Sequence, residues 1–442
     1  MKEKLTLKET LLLSITLFGM FFGAGNLIFP VHLGQLAGSN VLEATLGFII
    51  TGVTIPILAI AAIAVTHSNG LQRMCEKKVG KKFAYFFTCL LYLTIGPFFA
   101  IPRCCTTTFT SGVYPLMPSL NEKVCLLIFS AVFFALVLFF SLKPNKIMTW
   151  IGKIITPLFL LFFLILVISA LTKLNVSINS IAPENSYING SFINGVLEGY
   201  NTMDAIAGLA FGVIVVNCIR DLGIHDGKLV AREVIKAGII TAIIMSAIYL
   251  ISTILGTKSR ILFEISENGG IAFAQIAKEF LGNAGLLVLA LTIGLACLKT
   301  AIGLVTSCST TFAHMFPNTL DYRKWVIIFT IFSFVISNFG LTTIINYSIP
   351  VLMFLYPIAI VLILLGIFSY RTDNPIVFRC TLVGTIFAAI FDFIKALPLN
   401  IDISFMSKVL PFFDIGFSWI VPSIIGLIIG LLFNSIKRRK AK

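Results

Sequence analysis

The sequence predicts an all-helical integral membrane protein with about twelve transmembrane helices. Its 442 residues are 58% hydrophobic and only 12% charged, so a water-soluble globule of this size would lack the polar surface to cover itself. The apolar residues also form long runs, such as 126–140 and 157–170, inside windows that match one bilayer crossing of about 20 residues.

Hydropathy, read against glycine, proline and charged residues, divides the chain into twelve predicted spans, numbered here in chain order. They are 10–34, 41–66, 82–112, 122–142, 148–172, 192–218, 229–254, 283–314, 325–340, 343–368, 376–396 and 415–436. The basic segment Met1–Glu9 leads into an apolar run that continues to Pro30 without a small-residue cleavage motif, which indicates a retained first span rather than a signal peptide.

The lysines and arginines give an independent test of this topology. If the N-terminus is cytoplasmic, the inner loops and the C-terminal tail hold 23 of the 33 basic residues, whereas the outer loops and helix ends hold seven. This asymmetry predicts an even number of spans, with both termini in the cytoplasm.

Charge, cysteine and histidine content argue against several other functions. The net charge of +14 is distributed over the loops as a topology signal, so no nucleic-acid partner is expected. The nine cysteines include no C-x-x-C pair and lie mostly in apolar runs, and the four histidines show no metal-ligand spacing. We therefore expect membrane lipid around the protein and no bound cofactor. The sequence carries no signal for an oligomeric state.

Two predicted spans are interrupted by glycine and polar residues at mid-membrane. Span 1 contains GMFFGAGNLIFP at residues 19–30, and span 6 contains GYNTMDAIAGLAFG at residues 199–212. Unpaired backbone groups persist at membrane depth only where they line a site, and two such breaks five spans apart are typical of an inverted-repeat transporter. The alternative is that these glycines only pack helices together, but Asn26 and Asp204 do not suit a packing face.

The ends of the four half-helices predict a small-molecule site between the two breaks. Backbone amides at the start of the second half of span 1 would bind a carboxylate, and free carbonyls of span 6 would accept from an ammonium. Apolar neighbours such as Phe21, Leu27 and Phe211 favour an aliphatic side chain. The candidate substrate-binding residues are Gly23, Ala24, Gly25, Asn26, Thr202, Met203, Asp204 and Ala207.

Few ionisable residues lie within the spans, and each is a functional candidate because a charge in the bilayer is costly. Asp204 lies in the span 6 break, where it would orient backbone or bind a cation. Arg103 follows Pro102 in span 3 and would pair with Asp204 or cap a kink. Lys236 lies near a helix end, where its ammonium can reach the interface, and Asp392 and Lys395 have the spacing of a peripheral ion pair.

Four stretches together resemble the branched-chain amino acid:cation symporters, the BrnQ-type carriers. They are GMFFGAGNLIFP, YLTIGPFFAIPR, NTMDAIAGLAFGVIVVN and ACLKTAIGL, which extend from span 1 into span 8. The resemblance implies uptake of leucine, isoleucine and valine with sodium or protons in a bacterial plasma membrane. It also implies the leucine-transporter type of fold: a five-helix repeat at 1–172, an outer loop at 173–191, an inverted repeat at 192–368, and two further helices with a basic tail at 369–442.

The same resemblance implies a sodium site between spans 1 and 8. Its ligands would be the carbonyls of Gly19, Phe22 and Ala296 and two adjacent hydroxyls, of which Thr300 supplies the second. Lys299 occupies the first hydroxyl position, where its ammonium would repel sodium. We therefore interpret Lys299, together with Asp204 and Arg103, as candidate coupling residues, with Lys299 acting as a permanent cation or as a proton carrier. The alternative is that Lys299 faces elsewhere and its ammonium reaches the interface.

Other function classes fit the sequence less well. A channel would require a polar filter or rings of charge, and none is visible. An intramembrane enzyme would require a motif such as H-E-x-x-H or G-x-S-x-G, and a primary pump would require a phosphate-binding G-x-x-x-x-G-K-[ST] loop, but the chain contains none of them. The remaining alternative is a carrier of other apolar amino acids, proton-coupled or uncoupled because Lys299 fills the sodium position.

Overall fold

The computed structural model describes residues 2–23, 25–66, 68, 70–142, 161, 163–170, 172–174, 176–368, 374–399 and 401–440, and these contain helices but no β-strand. The helices are Leu7–Phe21, Gly25–Ala37, Val41–Ile49, Ile55–Val65, Leu71–Lys78, Lys81–Leu93, Ala100–Thr108, Glu122–Ser141, Asn185–Ile188, Ser191–Glu198, Asp204–Asp221, Gly227–Ser259, Gly269–Met315, Tyr322–Ser337, Leu341–Ile367, Pro375–Ala396 and Ile420–Lys440. The all-helical fold class is thus confirmed.

Membrane-compatible helices run through most of the described chain. Seven stretches are long and apolar enough to cross a bilayer: Gly25–Val65, Lys81–Leu116, Glu122–Ser141, Gly227–Ser259, Gly269–Met315, Leu341–Ile367 and Pro375–Ala396. Helical residues also overlap predicted spans 1, 6, 9 and 12. Predicted span 5 lies largely outside the described residues, and the number of twelve spans stays a prediction.

The outward faces of these helices are apolar. In helix Glu122–Ser141 the exposed large hydrophobic residues are Val124, Leu127, Ile128, Val132, Leu136 and Phe139. A soluble protein rarely exposes so continuous an apolar surface, because water would drive it to associate. Lipid contact along this helix therefore agrees with a multi-pass membrane protein.

Several predicted spans are helices with local irregularities. Span 3 contains the wider turn Thr94–Phe98, in which Gly96 leaves helical geometry (φ −95°, ψ −124°) directly before Pro97. Proline has no amide hydrogen and clashes with the preceding turn, so an interruption is expected there. Span 8 is preceded by a helical segment that the hydropathy reading missed, and the two are joined at Gly282, whose φ of 62° favours glycine.

The second half of span 1 lies backbone to backbone against span 7, the helix Gly227–Ser259. A methyl group added at Gly34 would lie 1.9 Å from the Thr253 carbonyl oxygen, and one added at Gly256 would lie 1.9 Å from the Val31 carbonyl oxygen. Thr257 Oγ1 donates to the Gly34 carbonyl at 2.8 Å. Such close approach is possible only with glycine, and it fixes one side of the span 1 break.

The two C-terminal helices, Pro375–Ala396 and Ile420–Lys440, pair in the same way. A methyl at Gly384 would lie 2.3 Å from the Pro422 carbonyl oxygen, and Thr385 and Ser423 share a hydrogen bond of 2.7 Å. Phe393 contacts Phe354 of span 10 at a ring separation of 6.4 Å. The pair therefore attaches to the body of the protein through span 10.

Candidate functional site

The span 1 break separates helix Leu7–Phe21 from helix Gly25–Ala37. The Gly23 amide in the gap donates to Asn26 Oδ1 at 2.8 Å, so a side chain replaces the lost helical partner of this buried group. Ala24, a predicted substrate-binding residue, lies outside the described residues. The sequence folds this way because Gly23 and Gly25 flank the gap and Asn26 follows it with a short side chain that can fold back.

The span 6 break is a tight turn between two helices. Residues Gly199–Thr202 form a 3₁₀ turn, Met203 has a left-handed φ of 63°, and helix Asp204–Asp221 follows. A left-handed conformation costs a non-glycine residue about 1–2 kcal/mol. The surrounding structure therefore holds Met203 in place, and the carboxylate of Asp204 lies at a helix N-terminus, where negative charge is favoured.

Asn26 joins the two breaks directly. Its Nδ2 lies 2.5 Å from Asp204 Oδ2 and 2.5 Å from Tyr249 Oη of span 7. All three residues are buried, and the bonds connect positions 178 and 223 residues apart. One amide side chain thus ties spans 1, 6 and 7 together at the interruption.

A cavity of about 50 Å³ lies between the breaks. It is lined by every predicted substrate-binding residue that the structure describes: Gly23, Gly25, Asn26, Thr202, Met203, Asp204 and Ala207. Arg103 and Thr300 add polar groups, and the apolar lining is Met20, Phe21, Ile95, Ala100, Cys104, Phe211 and Leu304. The lining therefore combines a polar end with an aliphatic end.

Arg103 interacts with Asp204 electrostatically, without a direct ion pair, and its hydrogen bonds go to backbone carbonyls of span 6. Its Nη1 donates to the Asn201 carbonyl at 2.6 Å and its Nη2 reaches the Thr202 carbonyl at 3.5 Å, while the guanidinium lies 5.0 Å from the Phe29 ring centroid. It therefore caps the first half of span 6 rather than a kink in span 3. The Asn201 and Thr202 carbonyls, the latter predicted to accept from a ligand ammonium, are used by this arginine.

Lys299 reaches the position predicted for sodium. Its Nζ lies 3.2 Å from the Gly19 carbonyl oxygen, and the neighbouring Thr300 Oγ1 donates to the Ala296 carbonyl at 3.0 Å within its own helix. Phe22, the fourth predicted ligand residue, follows helix Leu7–Phe21 at the break. A sodium ion bound at the Gly19 oxygen would lie a few ångströms from the ammonium. At 4 Å two unit charges repel by about 4 kcal/mol at an effective dielectric constant of about 20. This donor set does not fit sodium.

Two further predictions concern charged residues, namely Lys236 and the pair of Asp392 and Lys395. Lys236 donates to Glu233 at 2.7 Å, so its ammonium has a protein partner. Asp392 and Lys395 interact electrostatically but form no direct ion pair, because the hydrogen bonds of each go to other partners. Asp392 accepts from Ser418 at 2.8 Å, and Lys395 donates to the Asp414 carbonyl at 2.8 Å. Both hydrogen-bond partners, Ser418 and Asp414, lie in the loop before the last helix.

Sequence reasoning missed two residues of this region. Tyr249 lies in the more apolar second half of span 7 and carries no local signal, although its hydroxyl contacts Asn26. Glu233 is buried near the predicted cytoplasmic end, where it bonds Lys236 and Arg232 and accepts from the Leu5 amide at 3.4 Å. A buried carboxylate between two basic residues of one helix, R-E-V-I-K, was the available signal for it.

Comparisons with known proteins agree with this geometry. Residues 6–437 match the family model described as branched-chain amino acid transport protein. A branched-chain amino acid permease, BrnQ of Lactobacillus delbrueckii subsp. lactis, is 48% identical over 447 residues, with 100% of both chains covered.

Two solved structures share the fold. The nucleobase-cation-symport-1 transporter Mhp1, in a closed conformation with bromovinylhydantoin bound, has a TM-score of 0.63 at 14% identity, covering 95% of this chain and 91% of its own. MhsT in complex with L-phenylalanine has a TM-score of 0.62 at 16% identity, with 97% of both chains covered. The leucine-transporter type of fold is thereby confirmed, whereas the bounds of the two repeats stay a prediction.

Proposed function

The chain belongs to the branched-chain amino acid transport protein family, a family of permeases and not of enzymes, and from that premise we propose that it imports leucine, isoleucine and valine by alternating access. The observation that carries the proposal is the cavity between the two broken spans, closed by the bond from Asn26 to Asp204. In transporters of this architecture discontinuous helices form the substrate site, and one bundle rocks against the other around it.

The cavity suits a zwitterion with a short aliphatic side chain. The carboxylate would meet the start of helix Gly25–Ala37, where unpaired amides and the helix dipole favour an anion. The ammonium would face Asp204, since Arg103 takes the Asn201 and Thr202 carbonyls. The side chain would lie among apolar lining residues such as Phe21 and Phe211.

We place the protein in a bacterial plasma membrane with both termini cytoplasmic. The distribution of lysine and arginine over the loops supports this orientation. The relative from Lactobacillus delbrueckii, which is 48% identical, supports the bacterial setting.

The contact between Lys299 and Gly19 supports a proposal about the coupling ion. Because the ammonium lies at the predicted sodium position, we propose that protons, carried by Lys299, replace sodium as the coupling ion. A lysine side chain can bind and release a proton, which is the chemistry that proton coupling requires of it. The second candidate is an uncoupled exchanger, in which Lys299 stays charged throughout.

Counterflow tests the carrier function. Purified protein in liposomes preloaded with unlabelled leucine should accumulate external labelled leucine transiently, and external isoleucine and valine should abolish that accumulation. A channel gives no such overshoot, because it does not exchange bound substrate. Accumulation suppressed instead by other apolar amino acids would transfer the proposal to the alternative substrate class.

A further inference from the structure

Arg103 is a buried cation between the two breaks. Its side chain is 4% exposed and lines the same cavity as Gly23 and Gly25. A methyl added at Gly25 would lie 3.2 Å from Arg103 Nη2, so the guanidinium lies directly beside the start of the second half of span 1. On its other side it holds the Asn201 carbonyl at 2.6 Å.

The hydrogen bonds of Arg103 leave part of the guanidinium unused. A guanidinium carries five N–H donors. Two of them reach the carbonyls of Asn201 and Thr202, and the other three have no recorded acceptor in the part of the chain that the structure describes. The unused donors belong to a group that lines the cavity.

Arg103 also lacks a direct counter-ion. Within the described ranges the ion pairs closer than 4.0 Å are Lys2–Glu9, Arg232–Glu233 and Lys236–Glu233. The carboxyl groups of Asp204 and Glu198 act on the guanidinium electrostatically, but neither forms an ion pair or hydrogen bond with it. Asp204 Oδ2 accepts from Asn26, and Glu198 accepts from Asn201. Two peptide carbonyls supply only partial charges. A buried ion is normally compensated by a full opposite charge, because its desolvation is otherwise expensive.

We propose that Arg103 binds the carboxylate of the transported substrate, together with the backbone amides at the start of helix Gly25–Ala37. The ligand itself then supplies a counter-ion in direct contact with the guanidinium, and a free carboxylate becomes the obligatory recognition element. This inference rests on the proposed function and names the group in the cavity that selects acids over their amides. A guanidinium suits this task because its planar donors can serve two carbonyls and a carboxylate together.

The test compares ligands that differ only in their polar groups. Leucine, leucinamide and 4-methylpentanoate would compete with labelled leucine for the protein in liposomes. Leucinamide, which lacks the carboxylate, should compete at least about 10-fold more weakly than leucine, because a charged hydrogen bond is lost. 4-Methylpentanoate, which lacks the ammonium, should compete measurably. Leucinamide equal to leucine would overturn the inference, even if the variants below did not fold.

Variants at Arg103 separate binding from helix capping. Arg103→Gln keeps an N–H donor for the Asn201 carbonyl but removes the charge. This variant should bind leucine about 10- to 100-fold more weakly than the wild type, and its affinity for leucinamide should change by less than about 3-fold. Arg103→Lys keeps the charge and should lower the affinity for leucine less than Arg103→Gln does. Arg379→Gln is the matched control, because Arg379 also donates to a backbone carbonyl, at Val79, but lies outside the cavity.

The outcomes distinguish the two levels of the proposal. If Arg103 only supports the fold, Arg103→Gln will lower the affinities for leucine and leucinamide by the same factor or leave both unchanged. Either result overturns the inference. If wild-type protein shows no leucine counterflow at all, the proposed function fails first. If Arg103→Gln retains leucine counterflow and its ratio of leucine affinity to leucinamide affinity equals that of the wild type, the role of Arg103 is refuted and the proposed function stands.

Discussion

The ammonium of Lys299 lies 3.2 Å from the carbonyl oxygen of Gly19, across the contact between span 8 and span 1. A lysine Nζ at this carbonyl provides a positive charge that is covalently attached to the protein. A sodium ion must instead arrive from solution and compete with that charge. Substitution of Lys299 therefore tests which ion is coupled to transport.

Replacing Lys299 by threonine should restore a hydroxyl beside Thr300 and remove the fixed charge. We expect leucine counterflow by Lys299→Thr to become stimulated by sodium and to lose the pH dependence of the wild type. Lys299→Met, which removes the charge without adding an oxygen ligand, is the matched control and should gain no sodium dependence. If counterflow by Lys299→Thr neither responds to sodium nor differs from the wild type in its pH profile, the hypothesis that the Lys299 ammonium replaces sodium is wrong.

Removing the amide of Asn26 should uncouple the two breaks. Asn26→Ala leaves the Gly23 amide without its acceptor and removes one donor from the Asp204 carboxyl, and a buried polar group left unpaired costs about 1–3 kcal/mol. We expect leucine transport to fall by at least about 10-fold. Thr16→Ala, an exposed hydroxyl on the same span, should stay within about 2-fold in the same uptake assay. Wild-type transport by Asn26→Ala would contradict the linkage.

The left-handed Met203 predicts a difference between two apolar substitutions. Met203→Leu should be tolerated, whereas the β-branched side chain of Met203→Ile conflicts with φ 63° and should lower the free energy of unfolding by about 1–2 kcal/mol more. Thermal denaturation of the purified variants measures the gap. At Met245, a buried helical position, the same two substitutions should differ little, and an equal gap at both positions would remove the strain argument.

The contact of span 1 with span 7 predicts a strict requirement for glycine at position 34. Gly34→Ala places a methyl 1.9 Å from the Thr253 carbonyl oxygen, so we expect the helices to separate and the yield of folded protein to collapse. At Gly52 an added methyl would lie no closer than 3.4 Å to a neighbouring atom, and Gly52→Ala should give near-normal yield by size-exclusion chromatography. Equal yields would show that the two helices do not lie this close.

The sequence predicts the position of the site better than its contacts. Glycine, asparagine and aspartate inside apolar runs mark both breaks. Lipid cannot hydrogen-bond the polar groups exposed there, so such residues persist at membrane depth only where they line a site. The partners of Arg103 lie about a hundred residues away and that of Asn26 on span 7 more than two hundred, so only the folded chain brings them together. The helical segment before Gly282 was missed because it contains Gln275, Lys278 and Glu279, and a search for membrane spans ignores so polar a helix.

Uptake of labelled leucine into liposomes under imposed gradients tests the central claim most directly. The contact of Lys299 with Gly19 predicts accumulation driven by an inward proton gradient and no stimulation by an inward sodium gradient. Accumulation driven by sodium alone would contradict it, because sodium would then have to bind where the ammonium lies.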